Sequence, residues 1–395
     1  MKICIIGGGT TGWWAAGYLE KHHPDFDITL IESSDVPRIG VGESTLPQVA
    51  EFFRAMDLDE EQWMPQASAV KKLGNIKSGW NNNEDLPFTF WSNEGNAFDA
   101  WAKDYLTGKL DLDSFNKLNE EKYYAYHLDA ERAGEVVKNS CTRVTHIIDT
   151  LDTLPEGYDL YIDCTGFQRK FVNDMTMMQF EHHLVDSAWV CPFELDYHTT
   201  GYTQSIARDY GWQFVIDLTT RIGTGYVFAS SMCSTTDAHN AFLEYNNFRK
   251  PFMDKKPRLI QWKPEVLQSP WSGNVVAIGL ANGFLDPLES NALFMTQYSI
   301  TLLSQVLAKG TNAELYNRAM RKVWRDNSEY ILHHYMLSNR DDTEFWRYYR
   351  DFDVTKSLWE NYQKYGNRYT NLYPDSIWAT LGLYYNEFTH YKGKQ

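Results

Sequence analysis

The stretch that most constrains this chain is KICIIGGGTTGWWAAGYLEKHHPDFDITLIES, residues 2–33. A short apolar strand runs into three glycines, Gly7, Gly9 and Gly12, in G-x-G-x-x-G spacing. An amphipathic helix is expected to follow to about Lys21, and then a second strand, DITLIE. Each glycine has a separate reason. Gly7 permits a tight turn, Gly9 lets a pyrophosphate approach backbone amides, and Gly12 lets the helix pack closely on the strand. The phosphates would then sit at a helix N-terminus. Glu32 ends the second strand twenty residues after Gly12. A carboxylate there suits a ribose 2′-hydroxyl and repels a 2′-phosphate, which disfavours NADPH.

The turn alone leaves FAD and NAD both open. Residues 38–45, RIGVGEST, come next, with Gly40, Gly42, Glu43, Ser44 and Thr45 in a row of glycines and hydroxyls. That composition suits a backbone strap against a large planar cofactor; the alternative is a surface turn. A chain of 395 residues is too long for one ordinary core, so two lobes are expected. The 43% hydrophobic content argues against disorder, and a net charge of −15 makes nucleic acid an unfavourable partner. No run of eighteen apolar residues is present, so no membrane span is expected. The five scattered cysteines form no CxxC and read as reduced thiols of a cytoplasmic protein. The adjacent histidine pairs, 22–23, 182–183 and 333–334, are poor metal ligands because neighbours on a helix face different ways, so no metal site is expected.

Farther along, residues 46–64 read as one or two short helices ending near Pro65. Residues 81–120 are aromatic and asparagine-rich, an insertion over one side of a sheet. A helix is expected after Asp129, a strand over 142–148, and a Rossmann-like strand in YDLYIDCTGF, 158–167. Segments 187–195, 211–218 and 223–231 read as strands of a second, antiparallel lobe. NVVAIGLA then returns to the first lobe, and helical spacing is expected from Leu288 to Gly310 and again over 313–350. Two stretches stand out chemically. AVKKLGNIKSGW, 69–80, offers adjacent lysines, ordinarily a solvated face. NGFLDPLESNALF, 282–294, buries a carboxylate in an apolar run, which needs a partner or a shifted pKa; the plainer reading is a helix-start carboxylate after Pro287.

Taken together, GGGTTGWWAAGYL, IGVGEST, KLGNIKSGW, YAYHLDA, DCTGF, RIGTGYVFAS, GLANGFLDPLES and HYMLSNRDDTEFW resemble the flavin-dependent tryptophan halogenase family, in order and over roughly residues 1–350. The resemblance implies an α/β, Rossmann-like FAD-binding fold of the GR2 flavin-monooxygenase type, with an antiparallel-sheet substrate lobe and a helical C-terminal region. The expected partition is a discontinuous FAD lobe (1–80, 120–180 and 273–310), a substrate lobe (81–119 and 181–272) and the helical region 311–395. The implied activity uses FADH2, O2 and halide to make hypohalous acid, delivered through Lys72 to an electron-rich aromatic ring. Lys72 occupies the family's lysine position, with Lys71 as the fallback if the alignment slips by one. Glu289 would polarise the halogen species or take the ring proton, and Ser290 would link flavin and lysine. Gly279 and Asp286 join the cofactor loop, backbone amides of Asn291 and Ala292 would hold the halide, and His127 is a substrate-site or core residue.

Two departures matter. The family's W-x-W-x-I-P falls on Trp212-Gln213-Phe214-Val215-Ile216-Asp217, with phenylalanine for the second tryptophan and aspartate for proline. That keeps an aromatic hydroxylase open as an alternative, and a non-catalytic flavin-binding protein as a further one. Asn291 and Ala292 stand where the family has threonine and glycine or serine. Bromination or iodination is expected in preference to chlorination. The chain also ends about fifty residues after HY…FW, whereas tryptophan-selective relatives carry more C-terminal helix. A more open site for several small aromatic rings is therefore expected. The reduced flavin is expected to diffuse from a separate reductase, and a homo-oligomer is compatible with the sequence.

Overall fold

The computed structural model describes residues 1–35, 42–81, 84–90, 124–172, 174–195, 199–310 and 312–351. The strand Lys2–Ile6, which leads into the glycine turn, is central in a six-stranded sheet. It pairs in parallel with Asp27–Glu32 on one side and Leu160–Asp163 on the other. Thr145–Ile148 and Val275–Ala277 extend the parallel set, and the short Trp271–Ser272 closes one edge antiparallel. Crossovers of this kind need helices on the sheet faces. Thr10–His22 supplies one, and it is not amphipathic as expected: Gly12 through Glu20 are all buried. The helix Ala130–Ser140 lies so close that a Cβ on Gly17 would stand 2.4 Å from Val137, while Gly134 abuts the Thr10 backbone. Two glycines at the crossing let the first helix be enclosed on nearly every side.

A second sheet has seven strands and a separate core. Ser187–Phe193, Ile222–Phe228, Gly211–Asp217 and Tyr202–Arg208 are antiparallel neighbours. The next strand, Gly74–Asn81, joins in parallel, with Ser205 opposite Lys77. This sheet thus draws a strand from the segment that the sequence assigns to the first lobe. Its inner face packs on the helices Ala313–Met336 and Glu344–Asp351 through a cluster of large rings. Trp80 lies 5.2 Å from Trp346 and 5.3 Å from Tyr335, and its indole N–H donates to the Ser205 carbonyl at 2.8 Å. Of the expected 81–120 insertion, Glu84–Thr89 is instead an edge strand of this sheet, antiparallel to Gly74–Asn81, because its residues continue the ladder rather than cover the face. Residues 91–120 and the tail beyond 351 lie outside the described residues.

A small three-stranded sheet sits between these layers. Ala125–Leu128 pairs antiparallel with Glu43–Ser44 on one side and Val70–Lys72 on the other. His127 stands opposite both Ser44 and Val70, and Lys72 opposite Ala125. Strap and lysine, 28 residues apart in sequence, are thereby placed two strands apart.

The segment after Pro287 departs from expectation. The helix starts at Asn291, not Leu288, and runs to Ala308. Before it, Leu288–Ser290 forms a tight turn with Glu289 at φ 65° and Ser290 at φ 59°. Left-handed backbone is uncommon for residues with a Cβ and persists only where the surroundings hold it. Glu289 is therefore not a helix-start carboxylate. The turn aims consecutive side chains in directions that a helix would not.

Candidate active site

A cavity of about 850 Å³ runs from the glycine turn to the seven-stranded sheet. At one end it is lined by Gly7, Gly8, Gly9, Thr10, Thr11 and Glu32. Gly9 caps the helix Thr10–His22 without a side-chain hydrogen bond, and the first turn carries no acid, so its amides are free for an anion. A Cβ on Gly9 would meet nothing within 4 Å, whereas one on Gly12 would stand 1.8 Å from the Gly7 carbonyl oxygen. Gly9 fronts open space and Gly12 serves packing. Gly42, Glu43 and Ser44 line the same cavity; burial and Asp129 push the Glu43 carboxyl up to about 7. These residues fit a dinucleotide such as FAD, and the volume lies within the ~300–1,000 Å³ usual for ligand sites.

Other residues named from sequence sit behind this wall. Thr45 donates to the Tyr126 carbonyl at 2.9 Å and receives the Tyr126 N–H at 2.9 Å, pinning the strap. Gly279, at φ +67°, leaves no room for a Cβ against Thr11, while its neighbour Leu280 lines the cavity. Asp286 accepts from Tyr335 Oη at 2.6 Å and the Leu288 N–H at 2.9 Å, and burial raises its pKa to about 6. It caps the 287–290 turn rather than facing the cavity. Glu32 lines the cavity, but its carboxylate also receives His146 Nε2 at 2.7 Å. Gly40 lies outside the described residues.

At the other end, Asn75, Thr203, Glu289, Ser290 and Ala292 line the wall with Trp212, Phe214 and Ile216. Lys72 stands directly behind it, 0% exposed. Its ammonium donates to Ser290 Oγ at 2.9 Å and to the Thr45 carbonyl at 3.2 Å. Burial, with a repulsive contribution from Lys77, pulls its pKa down to about 7 against the opposing pull of Glu289. Lys71 points the other way, with 45% of its side chain exposed, over the Tyr124 ring and toward Glu60. Strand alternation separates the two lysines. Asn291 turns inward, its Nδ2 donating to the Leu288 carbonyl at 2.8 Å.

Glu289 is not bonded to Lys72. It pairs with Lys77, also 0% exposed, and accepts Asn75 Nδ2 at 3.2 Å and Tyr330 Oη at 3.5 Å, with His334 Nε2 3.5 Å away. Sequence reasoning missed Lys77 and His334. The signal for Lys77 lay in KLGNIKSGW: Asn75 and Lys77 are two apart on one strand and share a face. Nothing local marked His334, which reaches the site from the helix Ala313–Met336. Burial holds the Lys77 and His334 pKa values below their ordinary ranges.

His127, fully buried, is no cavity-lining residue. Its Nε2 is 2.8 Å from Thr203 Oγ1, and its Nδ1 is 3.2 Å from the Asp217 carbonyl. The Asp217 carboxylate, in place of the family proline, accepts the Thr200 N–H at 3.1 Å. Phe214 lies against Gly225, where a Cβ would meet its ring at 2.6 Å. Among the described residues no cluster of three His, Cys, Asp or Glu suits a metal, and no helix is long and apolar enough to cross a membrane.

The profile of the Tryptophan halogenase family matches residues 2–386. The chain is 28% identical to tryptophan 6-halogenase SttH of Streptomyces toxytricini, covering 92% of this chain and 83% of that one. It is likewise 28% identical to tryptophan 7-halogenase RebH of Lentzea aerocolonigenes, over 92% and 81%. Among solved structures, Xcc4156, a flavin-dependent halogenase from Xanthomonas campestris, superimposes with a TM-score of 0.86 at 25% identity, over 97% of this chain and 88% of that one. With the glycine turn, the strap and Glu289 on one cavity and Lys72 behind its wall, this chain belongs to the tryptophan halogenase family of flavin-dependent oxidoreductases.

Proposed function

We propose that the protein halogenates electron-rich aromatic or heteroaromatic small molecules, with Lys72 and Glu289 as the reacting side chains. The observation that carries this reading is a fully buried lysine behind the far wall of the dinucleotide-sized cavity, bonded to Ser290 beside a buried carboxylate. Bound FADH2 supplies the electrons by which O2 and halide become hypohalous acid and water. Everything else falls to the chain.

Gly7, Gly9 and the first helix turn hold the pyrophosphate, and Glu43 and Ser44 face the same cavity. Phe214, Trp212 and Ile216 make the sheet-side wall apolar, which limits water where the oxidant forms. Lys72 holds hypohalous acid by an N–H···O hydrogen bond. As the ring attacks the halogen, the halogen–oxygen bond breaks, and the departing oxygen takes the Lys72 proton to leave as water. Glu289 accepts the proton lost by the ring. The sum is ArH plus HOX giving ArX plus H2O, with the Lys72 and Glu289 protons re-equilibrating afterwards. Backbone amides at Asn291 and Ala292 are the proposed halide donors. A separate reductase supplies FADH2 by diffusion, since Gly7–Gly12 is the one such fingerprint in the sequence.

The test supplies FAD, a flavin reductase, NADH and equal chloride, bromide and iodide to a panel of indoles, phenols, anilines and free tryptophan, with products read by mass. Halogenated products are expected, bromide or iodide ahead of chloride, and simple rings ahead of free tryptophan. No halogen incorporation anywhere in the panel would sink the reading. A halide-independent gain of one oxygen would mark a hydroxylase, for which Phe214 in the tryptophan position is the relevant departure.

A further inference from the structure

Five buried side chains form one continuous hydrogen-bonded line across three layers of the fold. Lys72 Nζ donates to Ser290 Oγ at 2.9 Å, and Ser290 Oγ donates to Ser44 Oγ at 2.8 Å. Ser44 Oγ is 2.7 Å from Thr203 Oγ1, which is 2.8 Å from His127 Nε2. His127 Nδ1 closes the line on the Asp217 carbonyl at 3.2 Å.

The chemistry of the two ends gives the line a direction. A carbonyl only accepts, so His127 Nδ1 carries the hydrogen. In a neutral imidazole Nε2 is then an acceptor, and Thr203 must donate to it. Each hydroxyl has one hydrogen, so Ser44 donates to Thr203 and Ser290 to Ser44. Ser290 is left with only lone pairs for Lys72. Burial beside Lys72 holds the His127 pKa down at about 3, which keeps the ring neutral.

We propose that His127 is a positioning residue that, as terminal acceptor, fixes the direction of the Lys72–Ser290–Ser44–Thr203 line and so holds Lys72 as a hydrogen-bond donor. The proposal rests on the reading of Lys72 given above and extends it. A second consequence concerns the cavity. Ser44, Thr203 and Ser290 all line it, and with their hydrogens committed they offer only acceptors. Neutral hypohalous acid, an O–H donor, is accepted by that wall, and a bare halide anion is not. The reversed line would require a protonated His127 and a neutral amine at Lys72.

The test is made on the flavin-free protein with 15N-labelled lysine, following the Lys72 Nζ titration by NMR and assigning it with Lys72→Arg. Groups facing Lys72 are Glu289, which favours its charge, Lys77, which opposes it, and the His127 ring, which is neutral. His127→Phe and Thr203→Val each remove the directing acceptor while leaving Glu289 and Lys77 in place. Each is expected to lower the Lys72 midpoint by about one pH unit, tenfold less ammonium at a given pH. His127→Gln, which keeps an acceptor and a donor, is expected to restore it. Thr203→Val, nearly isosteric, keeps the test decisive if His127→Phe does not fold. A Lys72 midpoint unmoved in folded Thr203→Val overturns the proposal. Full halogenation by Lys72→Ala would overturn the functional reading instead and leave this titration intact.

Discussion

The two ends of the cavity are built on opposite principles. The glycine end offers backbone: amides at a helix start, positive φ at Gly7, and open space at Gly9. The far end offers charge: two lysines with no exposed surface, one carboxylate, and a turn held in left-handed backbone. The first is inexpensive to make, because an uncapped helix N-terminus needs no buried ion. The second takes two ammonium groups out of water, which is tolerated only where partners satisfy them. The comparison shows where each end is vulnerable: geometry at the turn, electrostatics at the lysines. Within the charged end the lysines themselves divide. Lys77 holds the carboxylate, and Lys72 donates to a hydroxyl and a carbonyl oxygen.

Lys72→Ala should have the largest effect on activity. A loss of about 10³-fold in kcat is expected, with flavin affinity unchanged, within the range for a positioned proton donor. Single-turnover halogenation alongside flavin titration checks it, and full activity would sink the lysine role. Lys77→Met should act mainly on stability. It strands Glu289 as a buried charge, a cost of about 3–5 kcal/mol measurable by urea unfolding. A loss under 1 kcal/mol would mean that the pair contributes little to the fold.

The pH dependence separates the lysines further. With burial holding Lys72 near 7 and the ammonium as the active form, kcat/KM should fall tenfold per unit above that pH. Lys77→Met removes a repelling charge and frees Glu289, so the alkaline limb should move to higher pH. A limb that stays in place would show that another group sets it. At the turn, the expected effects are smaller and opposite in kind. Gly12→Ala forces a Cβ onto the Gly7 carbonyl and should destabilise by about 1–3 kcal/mol. Gly9→Ala meets open space and should stay within about 0.5 kcal/mol while weakening flavin binding, read by thermal melts and flavin titration. Equal stability losses at the two glycines would break the distinction between them.

What could be read in advance follows the same division. The strand, glycine turn, helix and acid of residues 2–32 were legible because each requirement is local: a turn, a close backbone approach, an alternating strand. Lys72 and Glu289 were legible only as positions in a resemblance, since a lysine pair has no local mark that distinguishes a buried member from an exposed one. The enclosure of the first helix was missed because Gly17 and Gly134 act only once two helices cross. The late helix start at Asn291 was missed because apolar spacing continues through a turn held by tertiary contacts, among them those of Asp286, Tyr335 and Lys77.

By itself the sequence determined a nucleotide-binding α/β fold, its glycine turn and the family. Which lysine meets the carboxylate was decided by tertiary structure alone. Lys77 reaches Glu289 because the strand Gly74–Asn81 joins the second sheet beside Tyr202–Arg208, while the left-handed turn sends Ser290 toward Lys72. His334 and Tyr330 complete the site from a helix some 250 residues later than Lys77. Charges buried that deeply depend on partners gathered from every layer, and no local stretch of sequence carries that information.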